Sequence, residues 1–470
     1  MLCRPHLHRL APAVVNRSAT AAAGPRSVAW RRAAGALALT AAVGGSLLLI
    51  SPAPSYDPWS WLLWGRELVG GTLDTRQGPA FKPLPVGVAA LLAPAGAAAP
   101  VLWVALVRVA ALVALCLAFR LGRRMGGSNV AGALAVIAVA LCGGFLGTAA
   151  AGAETPLVLA LALGGVEAWR SGRFGWVLAA AVGCALLRVE AWPFVIAVGV
   201  LVWRRQPGLR PALAASAVLV PATWFLPELA GSGDVLRSGA RARVPNPGQP
   251  ALADVPALAS LEEAAGLLLW PLWIGVVALA LEVRRGRVAP AALAPVAAGG
   301  AWVCLVAAMA ELGFSGEARY ALPGAALVAV GGAVGLAGAA EGRRRAVIAL
   351  VALALVGVAA LSRLEYLADL RDRQAHAAEL ASDLDDAIAA AGGRGAVLRC
   401  GQPFVGPLRG PLLAYRLDVV KRSVEPDAPP RPPGVVFRSR LDPAAPLVPA
   451  VGAGFERIAR TGVWEVWRRC

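Results

Sequence analysis

The chain has 470 residues, 58% of them hydrophobic and only 16% charged, with a mean hydropathy of +0.65, an apolar share beyond that of an ordinary soluble domain. Its formal net charge of +17 comes largely from Arg at the ends of apolar segments, with no aromatic-interleaved basic patch, which excludes a nucleic-acid partner. Apolar stretches of about 20 residues recur, each long enough to cross roughly 30 Å of hydrocarbon as a helix, which excludes a single anchor or a lone signal peptide.

Residues 1–32 carry six Arg and no acid and are expected to form a cytoplasmic tail under the positive-inside rule. The same rule puts the connectors 120–124, 170–173, 204–210, 282–287 and 341–345 in the cytoplasm, which fixes the parity of crossings between them. Parity forbids the short apolar segment 83–92 from spanning. About eleven spans remain: 33–51, 101–120, 129–149, 154–170, 174–187, 190–204, 211–227, 264–283, 288–310, 320–340 and 344–361. The transmembrane domain is therefore 33–361, with large outer segments at 52–100 and 228–262.

Residues 362–470 are expected to fold outside the cytoplasm as a small α/β domain. They open with an amphipathic helical stretch at 362–391, followed by strand-like runs at 396–399, 412–420, 435–437 and 463–467 between Pro-rich turns. Of the seven Cys, Cys116, Cys142, Cys184 and Cys304 lie in apolar segments, where a thiol acts as a small hydrophobe. Cys400 and Cys470 share the outer domain and could form a disulfide there. The fold class is an α-helical polytopic membrane protein. The Ala-, Gly- and Arg-rich composition suggests a GC-rich bacterium, hence its plasma membrane.

Chemistry is expected on the outer face. Asp57, the first acid of the chain, follows the first span within Tyr56-Asp57-Pro58-Trp59-Ser60-Trp61. The plain reading is a loop acid among an interfacial belt of Trp59, Trp61 and Trp64. Lys82 is one of only two lysines, with Lys421, and a Lys in a chain that otherwise uses Arg points to a phosphate or carboxylate partner or to an interfacial anchor. Glu154 heads a span beside Pro156, where a carboxylate complements the helix dipole or faces the same outer cavity as Asp57.

Spans 174–187 and 190–204 are short, so Arg188 and Glu190 between them lie at membrane depth, where an ionisable side chain is costly and commonly functional. They pair with each other or Arg188 binds a ligand phosphate. Arg108, about seven residues into its span, needs a partner. Arg237, Arg241, Arg243 and Arg319 could grip a diphosphate or be solvated.

Taken together these motifs resemble the C-type glycosyltransferase superfamily, over roughly residues 33–361. An Asp follows the first span, and Lys82-Pro83-Leu84-Pro85 is similar to the Lys-Pro-Pro-Leu of the protein O-mannosyltransferase and aminoarabinose-transferase branch. An Arg-rich Arg120-Leu121-Gly122-Arg123-Arg124 closes the second span. Glu154-Thr155-Pro156-Leu157 and Leu187-Arg188-Val189-Glu190-Ala191-Trp192-Pro193 look like recurring elements of its bacterial members. The chain departs in having Asp57 without an adjacent acid, and Leu-Pro where Pro-Leu is usual.

The resemblance implies transfer of a sugar from a polyprenyl-phosphate donor to a glycan, lipid or protein acceptor of the cell envelope, on the outer face and among membrane lipids. Asp57 would be the general base, and Glu154 a second acid orienting acceptor or a divalent metal such as Mg or Mn. Lys82 and Arg188 would stabilise the departing phosphate, supported by Glu190 and Arg108. A non-catalytic envelope-assembly scaffold and a lipid or sugar transporter are the alternatives. Transporters place charges near the midplane and carry internal repeats, whereas these acids sit at outer helix ends and no repeat is visible.

Overall fold

A computed structural model describes residues 25–338 and 343–470. Most of the expected tail 1–32 and the start of the connector 341–345 lie outside the described residues. Residues 1–45 and 46–470 form two compact units. Of the first, only part of helix α1 (Pro25–Leu49) is described, and everything below concerns the second.

The segment after α1 is helical: α2 (Tyr56–Val69) and α3 (Pro83–Leu92). At ten residues α3 is about 15 Å long, half of what a crossing needs. A 3₁₀ turn with Gly96 at φ 57°, a value that glycine adopts without strain, bends the chain into α4 (Ala99–Gly126). Next come α5 (Asn129–Ala140), α6 (Phe145–Ala150), α7 (Thr155–Arg170), α8 (Phe174–Leu187), α9 (Trp192–Arg205) and α10 (Arg210–Ser232). The expected span 129–149 is thus two helices, broken at 141–144, where Gly144 takes φ 80°.

Residues 228–262 hold α11 (Arg237–Ala242) and most of α12 (Pro256–Gly266). Helix α13 (Pro271–Arg284) departs from α12 at 94°, so the expected straight span 264–283 is a bent pair. Pro271, which has no N–H to give a preceding turn, starts the new helix. Helices α14 (Ala294–Glu311), α15 (Ala318–Gly338) and α16 (Arg343–Leu361) complete the bundle. Among the described residues, four helical segments, Pro83–Gly126, Pro207–Ser232, Pro290–Glu311 and Ala318–Gly338, are long and apolar enough to cross a membrane, or five with the bent pair. Shorter apolar helices, Leu37–Leu49, Asn129–Ala140 and Phe174–Leu187, lie in three of the other expected spans.

Helix α15 is the axis of the bundle, buried at every residue from Ala321 to Leu336. Small residues let its neighbours approach it closely: a Cβ on Gly335 would overlap the Gly275 carbonyl of α13, and one on Gly324 would overlap the Gly299 carbonyl of α14.

Beyond α16 the chain forms α17 (Leu364–Ala390), α18 (Gly393–Cys400), β1 (Gln402–Val405), α19 (Gly410–Leu417), β2 (Gly434–Arg440), β3 (Leu447–Val448), β4 (Glu456–Thr461) and β5 (Trp464–Arg469). The sheet runs β1-β2-β5-β4, parallel between β1 and β2 and antiparallel elsewhere, with β3 pairing the end of β2. The expected strands at 396–399 and 412–420 are instead α18 and α19. Leu412, Leu413, Ala414 and Leu417 are good helix formers with one buried face, Pro411 opens the helix, and Asp418 at φ 60° ends it. Cys400 and Cys470 are joined in a disulfide, with Cα atoms 4.7 Å apart.

One apolar cluster joins this C-terminal domain to the segment that carries α2 and α3. Trp59, Trp61 and Trp64 are buried in it with Leu384, Leu413, Phe437 and Trp464, so the expected interfacial belt is interior packing. Trp59 lies 5.3 Å from Tyr415, and Arg66 reaches the Tyr415 carbonyl and Asp418, each at 2.9 Å. Helix α2, which opens with Asp57, is therefore seated on the C-terminal domain.

Candidate active site

Lys82 precedes the first turn of α3, where Pro83 holds it in extended backbone. Its ammonium lies 5.2 Å from the Trp61 ring centre and donates to Glu154 Oε1. Glu154, at the start of α7, offers the same oxygen to Arg188 Nη2 at 2.8 Å. Arg188 Nη1 stands 3.7 Å from Glu190, and its guanidinium stacks 4.6 Å from the Tyr320 ring centre. All four charged groups are buried, and their formal charges cancel.

The compensation is incomplete in hydrogen bonds. Arg188 is 2% exposed, and its Nη2 also reaches Thr155 Oγ1 at 3.3 Å and the Arg319 carbonyl at 3.5 Å. Its Nε and Nη1 have no hydrogen-bond partner, a condition that costs free energy in a buried group unless a ligand supplies an acceptor.

Two cavities meet at this cluster. A polar chamber of about 700 Å³ is lined by Tyr56, Asp57, Lys82, Arg241, Glu317, Arg319 and Tyr320, with Pro407, Leu408, Pro426 and Asp427 from the C-terminal domain. A largely apolar cavity of about 440 Å³ is lined by Leu187, Arg188, Glu190, Trp192, Trp224, Phe225, Val306 and Phe314, among others. Lys82 and Tyr320 border both.

Asp57 lies in the first turn of α2, where the helix dipole favours a carboxylate, and faces Arg319 at 3.5 Å. Arg319 also binds Glu317 at 2.7 Å and the Tyr320 hydroxyl at 3.2 Å. Burial, with Asp57 adding to it, pushes the neighbouring Tyr56 hydroxyl up to about 12. The second lysine, Lys421, stands 5.8 Å from the Tyr56 ring centre, and burial lowers it to about 8.

A clamp sets the position of Lys82. Arg237 donates to the carbonyls of Pro79 at 2.6 Å and Gly78 at 2.7 Å. Ser238 accepts from the Phe81 N–H at 2.6 Å and bonds Glu228, which takes Thr75 Oγ1 at 2.9 Å. Arg237 and Ser238 thus hold the backbone on which Lys82 stands.

The structure therefore gathers Lys82, Glu154, Arg188 and Glu190 and brings Asp57 to the adjoining chamber. Glu154 does not line that chamber; it holds two cations beneath it. Arg108 is buried elsewhere, donating to the Ser46 carbonyl at 2.6 Å and reaching Ser51 and Ala150 carbonyls, and lines neither cavity. Among the described residues no three His, Cys, Asp or Glu side chains form a group able to hold a metal, and Asp57 and Glu154 do not line one cavity together. Tyr320 and Tyr56 escaped the sequence reading, although scarcity marks them: they are two of only four Tyr. Glu228 and Ser238 gave no comparable signal.

No family model and no curated protein matches the chain. Its fold is similar to that of crystal structures of ArnT from Cupriavidus metallidurans. The likeness to the form bound to undecaprenyl phosphate covers 92% of this chain and 98% of that one, at 14% identity and a TM-score of 0.54. The apo form aligns over 93% and 98%, at 15% identity and a TM-score of 0.48. The expected architecture, a polytopic helical bundle with a small C-terminal α/β domain, is the fold of this chain, and it is similar to that of the ArnT structure bound to undecaprenyl phosphate.

Proposed function

We propose that this chain is a membrane glycosyltransferase that moves a sugar from a polyprenyl-phosphate donor to a hydroxyl of a cell-envelope acceptor on the outer face. The observation that carries the reading is the buried Arg188, short of hydrogen-bond acceptors, in the wall of an apolar cavity that Lys82 and Tyr320 share with a polar chamber holding a carboxylate. An isoprenoid tail suits the apolar cavity, its phosphate suits Arg188 and Lys82, and the sugar would then project into the chamber toward Asp57. The ArnT form with a similar fold is described as bound to undecaprenyl phosphate, which supports the same ligand class here.

In this mechanism Asp57 takes the proton of the acceptor hydroxyl as its oxygen attacks the anomeric carbon. The bond between that carbon and the phosphate oxygen breaks, and the electron pair leaves on the phosphate. Charge grows there, where preformed cations act most strongly in a water-poor site. Arg319, 3.5 Å from Asp57, fixes the direction in which that carboxylate faces the chamber.

The test is transfer of label from a panel of radiolabelled polyprenyl-phosphate sugars to membrane acceptors by the full chain in vesicles, alongside Asp57→Asn. Loss of a base of this kind lowers turnover by about 10²- to 10⁴-fold, while undecaprenyl phosphate binding persists. No transfer by the wild type from any donor would sink the proposal.

A further inference from the structure

At the end of the bundle carrying the Arg-rich connectors lies a second hollow, of about 340 Å³, which the proposed transfer does not use. It lies over α7 between α4 and the start of α8. Arg120 and Arg124 come from the end of α4, and Arg173 precedes α8. Buried Glu167 binds Arg120 at 3.0 Å and also Arg124, while Arg173 makes no ion pair among the described residues. Three cations against one carboxylate leave the rim with a formal charge of +2.

Below the rim the hollow becomes apolar. Leu161, Gly164 and Ala180 form its floor, and a Cβ on Gly164 would meet only Leu117, at 3.8 Å. Leu161 lies six residues before Glu167, roughly 9 Å deeper along the helix. Trp176, 69% exposed, stands at the mouth, the level at which amphipathic rings meet lipid headgroups. A soluble anion would match the rim but not the floor, and a zwitterionic headgroup would bring a further ammonium to a rim already positive.

We propose that this hollow binds an anionic phospholipid of the cytoplasmic leaflet, its phosphodiester against Arg120, Arg124 and Arg173 and one acyl chain over Leu161 and Gly164. Basic pockets between membrane helices on this side take such headgroups by the same combination of charge and apolar depth. The site is independent of the transfer chemistry.

The full chain would be reconstituted in nanodiscs of mixed phosphatidylglycerol and phosphatidylcholine, extracted mildly, and its retained lipid counted by native mass spectrometry. Phosphatidylglycerol should be retained in preference to phosphatidylcholine. Arg173→Gln, in an exposed turn with no ion pair to lose, should weaken that retention about fivefold, the effect of one cation near the surface. Gly164→Leu, which fills the floor and leaves the charges, should abolish it. Equal retention of the two lipids, or retention unchanged in Arg173→Gln, would overturn the proposal. Displacement by excess inorganic phosphate would also overturn it, by showing a bare anion site.

Discussion

Glu154→Gln isolates the electrostatics of the buried cluster. The change keeps the size of the side chain and one accepting oxygen, but it strips Lys82 and Arg188, 8% and 2% exposed, of their shared counter-charge. The formal charge of Lys82, Arg188, Glu154 and Glu190 goes from zero to +1. At 2.8 Å and an effective dielectric of about 20, the Arg188–Glu154 attraction alone is about 6 kcal/mol. Most of that is set against desolvation, and breaking one side of a buried pair costs about 3–5 kcal/mol. At about 2 °C per kcal/mol, Tm should fall by about 6–10 °C. A polyprenyl phosphate brings back the missing negative charge, so the rise in Tm on adding undecaprenyl phosphate should be larger in the variant than in the wild type. Tryptophan-fluorescence melts in nanodiscs, with and without undecaprenyl phosphate, measure both quantities. An unchanged Tm, or an equal ligand-induced rise in the two proteins, would refute the claim that Glu154 occupies the cations a phosphate would otherwise take.

Reduction of Cys400–Cys470, or its replacement by a Ser pair, opens a link across 70 residues and should cost the outer domain about 4 kcal/mol, read as earlier proteolysis of residues 364–470. Burial pushes the Glu67 carboxyl up to about 7 from its ordinary 4.5. The folded state therefore holds that proton more tightly than the unfolded one, and its contribution is full below about 4.5 and lost as pH rises through about 7. Melts from about pH 5 to about pH 8 should show that fall in the wild type and a flatter profile in Glu67→Gln. Gly335→Val drives a side chain into the Gly275 carbonyl of α13 and should cost about 1–3 kcal/mol or more, seen as loss of the monodisperse peak in detergent.

The helices of the bundle were legible because apolar length and Arg placement carry the signal directly. Breaks within spans were less so: nothing in hydropathy separates a straight 264–283 from α12 and α13 meeting at 94°. The outer domain was harder. Strands β2 and β5 announce themselves with Val-Val-Phe and Trp-Glu-Val-Trp, but β4 is an exposed edge reading Glu-Arg-Ile-Ala-Arg-Thr, with no apolar alternation to find. The charged corner at 188–190 stood out because ionisable residues at membrane depth are rare. Which acid it would meet did not, since Glu154 and Arg188 come from helices whose packing depends on small-residue contacts spread over the whole bundle. The reading of Trp59, Trp61 and Trp64 as a lipid-facing belt failed for a related reason. A Trp-rich helix beside a membrane can face lipid or protein, and only the outer domain's Tyr415, Leu413 and Trp464 decide it.

The placement of Glu154 bears on how one site could serve both halves of a transfer. A phosphate arriving at a bare Lys82 and Arg188 would be held too firmly to leave, whereas a cluster already neutral through Glu154 and Glu190 binds it only by giving up part of that pairing. In the proposed transfer the donor linkage, a phosphodiester, would carry one negative charge, and the departing polyprenyl phosphate up to two. Cations shared with Glu154 can shift toward the phosphate as that second charge develops, so their attraction grows along the reaction coordinate, which is the condition for lowering a barrier. Lys82 is suited to that shift because its ammonium is a point charge on a flexible stem, borders both cavities, and rests on a backbone clamped by Arg237 and Ser238. Lys82→Arg would put a rigid fork in that place and should lower turnover more than it lowers undecaprenyl phosphate affinity; equal losses in the two would mean that Lys82 only binds.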